Sequence, residues 1–215
     1  MPRPRSDIEP RILHAARARF LTEGVDGASL RAIAKDAGTS IGMVYYYFPT
    51  KDDLFLAIVE EVYERVLHDL EAALAPDVPV AERIERVYER IGRFSEEETM
   101  VIRLVIREAM VSSARLDRVI ARFQRGHIPL VLRALADGML DGTFDARRHP
   151  LFSLAPLIGI GLVSQVMRRV MVGRLPLPPP PAGAEFARTL VDVLLHGVSA
   201  RKSGDPPLRP PEGGA

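Results

Sequence analysis

Residues Ser29-Leu30-Arg31-Ala32-Ile33-Ala34-Lys35-Asp36-Ala37-Gly38-Thr39-Ser40-Ile41-Gly42-Met43-Val44-Tyr45-Tyr46-Tyr47-Phe48 decide how the chain is read. Ser29 is an N-cap type residue, and Leu30, Ile33 and Ala34 behind it make one apolar helix face. Ala37-Gly38 stops that helix, and Thr39 and Ser40 alone separate it from a second one starting at Ile41. Ala34 and Gly38 are small, so the two helices can cross closely, with Ile33 and Val44 packed beneath. In this reading Ile41, Gly42 and Met43 point away from the core and can enter a major groove. Four aromatic residues in a row, each about 100° further round the helix, cannot all be core. Tyr46 and Phe48 are assigned inward, and Tyr45 and Tyr47 outward beside Lys51, as hydroxyl donors to phosphate.

Outward from this stretch the pattern stays helical. A first helix opens near Ser6 or Asp7, where Ser6 and Glu9 have capping-box spacing. Its apolar stripe is Ile12, Ala16 and Phe20, and Gly24 is its expected stop. Pro49-Thr50 ends the second short helix, and Thr50 with Asp53 opens a long helix from Lys51 to about Leu74. Further helices are expected over 79–94, 99–111, 116–140, 150–171 and 184–198. The run Glu96-Glu97-Glu98 reads as a helix start or loop, favourable near an N-terminal dipole. Residues 204–215 hold four prolines and three glycines and are expected to be a disordered tail. The expected architecture is all-α with about nine helices: a DNA-binding unit over 1–54 and a larger helical domain over 55–203.

The order and spacing from Ile12 to Leu54 resemble the DNA-binding domain of TetR-family transcriptional regulators. The matching residues are Ile12, Leu13, Ala15, Ala16, Phe20, Gly24, Ser29, Leu30, Arg31, Ile33, Ala34, Ala37 to Ser40, Gly42 to Phe48, Lys51 and Leu54. Thr39 stands where an aliphatic residue is commoner. The resemblance implies base reading by Ser40, Ile41, Gly42 and Met43, with Arg31 reaching a base edge or phosphate. Tyr45, Tyr47 and Lys51 would hold the DNA backbone. Ile41, Gly42 and Met43 bring no side-chain hydrogen bonds, so readout would lean on thymine methyls, Arg31 and DNA shape. A homodimer on a palindromic operator follows, with the dimer surface on the last two helices. Its candidate residues are Leu157, Ile160, Val163 and Val170, with Phe186, Leu190, Val193 and Leu194. Gly159 and Gly161 would allow close helix approach there. The preceding helices would enclose an effector pocket. Phe94, Met100, Leu104, Met110, Phe123 and His127 are its candidates, for an apolar or aromatic ligand. Arg107 and Glu108 are expected to be solvated.

Composition bounds the rest. The 215 residues are 47% apolar and 27% charged, enough for a sizeable core. With 29 basic and 28 acidic side chains, global charge does not argue for a nucleic acid. Locally, Met1 to Arg19 carries five basic and two acidic residues, and Arg3 and Arg5 fit either a minor-groove arm or a solvated terminus. Absent cysteine excludes disulfides and thiolate chemistry. The five histidines are dispersed, and neither metal-ligand spacing nor a phosphate-cradling glycine loop occurs, so no enzyme, metal or cofactor is expected. No signal peptide is legible, and the uncharged stretch 150–167 is too polar for a lone membrane span. A cytoplasmic regulator is expected. Its rivals are a DNA-binding dimer controlled by a protein partner, and a helical enzyme or binding protein with a vestigial motif.

Overall fold

The computed structural model describes residues 7–111, 114–171 and 183–197 and the single positions 174, 176, 178 and 181. The side chains of 165, 166 and 168–171 are not described. Arg3, Arg5, the tail over 204–215 and the Val170 side chain therefore lie outside the described residues. Ten helices stand among the described residues: α1 (Ile8–Gly27), α2 (Leu30–Asp36), α3 (Ile41–Tyr47), α4 (Lys51–Ala73), α5 (Val80–Gly92), α6 (Glu96–Val111), α7 (Ala114–Gln124), α8 (His127–Leu140), α9 (Pro150–Met171) and α10 (Gly183–His196).

The expected all-α architecture holds, with one helix more than expected because 116–140 breaks at Arg125-Gly126. There Gly126 leaves helical geometry, at φ −121° and ψ −112°. In α1, Ile12, Ala16 and Phe20 are fully buried. Gly24 interrupts α1 at φ 78° and ψ 165°, and one further turn follows it. Asp7 flanks the start of α1 and makes no capping bond. The Ser29, Ser40 and Thr50 side chains do cap α2, α3 and α4, accepting from the N–H groups of Ala32, Met43 and Asp53.

The turn between α2 and α3 has a different cause from the expected close helix crossing. Gly38 is exposed at φ +61°, and it closes a Schellman motif. Gly38 N–H donates to Lys35 O at 3.0 Å and Thr39 N–H to Ala34 O at 2.9 Å. Arg11 of α1 completes the end, donating to the Ala37 and Gly38 carbonyls. A Cβ at Gly38 would stand 2.8 Å from the Arg11 guanidinium. Gly38→Val is therefore expected to cost about 1–3 kcal/mol, from left-handed backbone strain and the Arg11 contact. A denaturant midpoint unchanged from the parent would refute this.

Two cores result. The first joins α1 to α4 with Val101 and Leu104 of α6 and Val119 of α7, so it runs past the boundary expected at residue 54. The second joins Val80, Ile84 and Tyr88 of α5 to Ala187, Leu190 and Val191 of α10, with α9 packed against them. The acidic run proves to be a helix start. Ser95 N–H donates to Glu98 Oε2 at 2.7 Å, and Glu98 N–H to Ser95 Oγ at 3.1 Å. This capping box starts α6 at Glu96, three residues before the expected Thr99.

Candidate nucleic-acid interface

On α3, Val44 is fully buried and Phe48 nearly so. Residues three or four apart share a helix face, so Ile41 and Tyr47 turn back toward Val44. Both are half-buried against the first core. Ile41 thus departs from its expected outward place. Tyr46, expected inside, is the most exposed of the aromatic run at 77%, and Tyr45 is 52% exposed. The Tyr46 ring meets Tyr47 edge-on, with centroids 5.3 Å apart. The outward surface of α3 is therefore Ser40, Gly42, part of Met43, Tyr45 and Tyr46. A Cβ at Gly42 would meet only Ser40 Oγ, at 3.8 Å. Backbone there lies open to a groove. Arg31 is exposed on α2.

The basic residues counted over 1–19 that the structure describes are engaged within the fold. Arg11 caps α2, and Arg19 bonds Asp36 at 2.6 Å and Glu23 at 2.7 Å. Arg17 is buried between Glu61, at 2.8 Å, and Glu97. These guanidiniums are paired within the fold. Nearly every carboxylate of the unit is also engaged. Hydrogen bonding from Arg19 holds Asp36 below the usual carboxylate range. Arg115 does the same for Asp26, and Thr50 followed by Arg118 for Asp53. Lys51 donates from Nζ to the Asp26 carbonyl at 2.7 Å, beside the N-terminus of α4.

A cleft of about 860 Å³ opens along α6. Of the expected pocket residues, Phe94, Met100 and Met110 line it, with Ile91, Ile102, Ile106 and Leu162 added. Leu104 does not; it is 2% exposed in the first core. Phe123 and His127 belong elsewhere, clustered with Tyr63. Tyr63 Oη accepts from the His127 N–H at 3.0 Å and lies 2.9 Å from Nδ1. The hydroxyl and the ring nitrogen share one hydrogen bond, and burial lowers the imidazole pKa. Arg107, expected in solvent, lines the cleft and also donates to Leu21 O of α1 at 3.3 Å. Glu108 is 5% exposed and bonded to Arg115, so it is not solvated either. The charged lining of Glu96, Arg103, Arg107 and Arg174 could not be read from apolar spacing.

The expected dimer residues divide. Leu157, Ile160, Phe186, Leu190 and Leu194 pack in the protomer's second core, while Val163 is 57% exposed and Val193 half-buried. Gly161 receives Tyr88 of α5, whereas nothing lies within 4 Å of a Cβ on Gly159.

Residues 12–58 match the family model for bacterial regulatory proteins of the tetR family. An HTH-type transcriptional repressor of Streptomyces coelicolor is 30% identical over 168 residues, covering 76% of this chain and 82% of the relative. The chain belongs to the TetR family. Two solved structures share its fold. One is FadR from Bacillus subtilis in complex with stearoyl-CoA, at TM-score 0.67 and 16% identity over 88% of this chain and 99% of that one. The other is AibR in complex with isovaleryl coenzyme A and operator DNA, at TM-score 0.63 and 16% identity over 87% and 98%.

As a TetR-family member the protein is a DNA-binding transcriptional regulator, and the family is not one of enzymes. Among the described residues no helix is long and apolar enough to cross a membrane. For a TetR-type interface, Lys51→Ala is expected to weaken binding to every DNA sequence and to flatten the salt dependence by about one unit. Competition binding over a salt series reads both, and a changed base preference would contradict the assigned role.

Proposed function

We propose that this regulator binds a palindromic operator as a homodimer, represses from it, and is released by an apolar ligand carrying an anionic group. Reading lies with Ser40, Gly42, Met43 and Arg31, and backbone holding with Tyr45, Tyr46, Tyr47 and Lys51. Two half-sites about 34–36 Å apart suit a two-fold symmetric protein. The stripe Leu151, Phe152, Ile158, Val163 and Met167 of α9 is 46–71% exposed, and a second copy of the chain would cover it. The regulator acts in the cytoplasm, where its operator is.

The observation that carries the ligand reading is the α6 cleft. Its volume lies within the ~300–1,000 Å³ of small-molecule sites, and its wall is mostly apolar. Arg103, Arg107 and Arg174 bring three positive charges to that wall against the one carboxylate of Glu96. An acyl chain with a charged head matches both halves, and the fold neighbours above hold acyl-coenzyme A. A ligand releases DNA only through unequal affinity for the two conformers. Arg107, touching both the cleft and the Leu21 carbonyl, gives that inequality a route to the DNA-binding unit.

The test begins with selection of operators from sheared genomic DNA and footprinting over a salt series. Stearoyl-coenzyme A, stearate and free coenzyme A are then titrated against the complex. A symmetric footprint erased by an acyl ligand but not by coenzyme A supports the proposal. A footprint untouched by all three refutes the ligand and moves control to a protein partner.

A further inference from the structure

Arg115 stands on α7, outside the DNA-binding unit over 1–54, yet two of its three ion pairs reach into that unit's edge. Its Nη2 donates to Asp26 Oδ2 at 2.8 Å and its Nη1 to Asp52 Oδ1 at 2.9 Å. Its Nε donates to Glu108 Oε2 of α6 at 2.8 Å. The Arg115 side chain is 9% exposed, whereas Asp26 is 78% exposed. Lys51 adjoins both of these aspartates. Its ammonium bonds the backbone carbonyl of Asp26, and Asp52 is its neighbour in sequence. An ammonium has three protons, so two remain for a phosphate. A loose Asp26 or Asp52 carboxylate would compete for them, and would repel the phosphate as well.

We infer that Arg115 is a positioning residue for DNA binding: it ties up the Asp26 and Asp52 carboxylates, so that they compete less with phosphate for the Lys51 ammonium. Arg118, three residues further along α7, repeats the arrangement on the next carboxylate, donating to Asp53 Oδ1 at 3.1 Å. Helix α7 is thus the electrostatic complement of the DNA-reading unit, although it carries no residue toward a groove. A unit that is nearly neutral by sequence gains a positive edge because two arginines from elsewhere in the fold cover three of its carboxylates. The inference rests on Lys51 meeting phosphate, which the Lys51→Ala experiment tests separately.

The test uses the full chain and a random-sequence 30-base-pair duplex. Arg115→Gln is expected to weaken binding about fivefold and to flatten the salt dependence. Adding Asp26→Asn and Asp52→Asn to Arg115→Gln is expected to restore affinity to within about twofold. It should not restore the thermal midpoint, since Glu108 still lacks its guanidinium. A purely structural Arg115 would give the same first loss with no rescue, and that result overturns the inference. Should Arg115→Gln fail to fold, Arg118→Gln serves instead, because its side chain is 52% exposed. It is expected to weaken binding about twofold, with recovery on adding Asp53→Asn. Unchanged affinity, or a loss without recovery, overturns the inference there too.

Discussion

Tyr88→Ala is expected to lower stability by about 3–5 kcal/mol and to abolish dimer formation. The Tyr88 side chain is 1% exposed at the centre of the second core. Its ring sits against Gly161 of α9, where an added Cβ would fall 2.6 Å from Tyr88 Cε1. Its hydroxyl donates to Leu157 O at 2.8 Å, and burial pushes its pKa up. One side chain therefore docks α9 onto α5 by shape and by hydrogen bond together. Truncation leaves a cavity between α5 and α9. Tyr88→Phe keeps the ring and is expected to cost about 1 kcal/mol. Urea unfolding separates the two variants, and sedimentation reads the dimer. A loss under about 1 kcal/mol for the alanine variant would show that α9 is held mainly by other contacts.

Gly126→Val is expected to cost about 3 kcal/mol, by breaking the junction of α7 and α8. A Cβ on Gly126 would overlap the Tyr63 hydroxyl, and would lie 3.2 Å from Arg122 Nη1. Neither neighbour gives way cheaply. Tyr63 is 6% exposed and holds His127 through two hydrogen bonds, while Arg122 stacks over the Tyr63 ring at 4.7 Å and pairs with Glu60. Displacing the hydroxyl would strand the His127 N–H, and would free the imidazole to take a proton. With its folded pKa brought nearer the unfolded value, the variant should lose stability less steeply on acidification below about pH 6.5 than the parent does. The sign follows from burial. The folded imidazole binds its proton less readily than the unfolded one, so native stability already declines as pH falls through the unfolded value. Thermal midpoints from pH 8 to pH 5 measure both effects, and parallel curves of equal height would refute the argument.

Much of the DNA-reading unit was legible because its signals are local. Caps at Ser29, Ser40 and Thr50 act over three residues, and Gly38 is a stop whatever lies beyond it. The apolar stripe of α1 and the buried Val44 follow from helical spacing. The errors begin where a helix is too short for spacing to choose a face. In the seven residues of α3, the rotation that buries Val44 exposes Tyr46 and pulls Ile41 inward. The Ser95 and Glu98 capping box is equally local, and it decides for the helix start between the two readings of the acidic run.

The cleft and the ion pairs follow a different rule. Apolar spacing marks what is buried without saying against which partner. Phe94 and Met100 therefore fell in the cleft, while Leu104, Phe123 and His127 went to packing sites. Arg11 meets Gly38 across 27 positions and Arg115 meets Asp26 across 89. At such separations a charge count cannot tell a paired carboxylate from a free one. Short-range propensity and capping settled the helices, the turn and the family, since each needs only a few neighbours along the chain. Which tyrosine faces out, where the cleft opens and which charges reach DNA awaited the packing of α6, α7 and α9, because long-range burial alone chooses among partners that are locally equivalent.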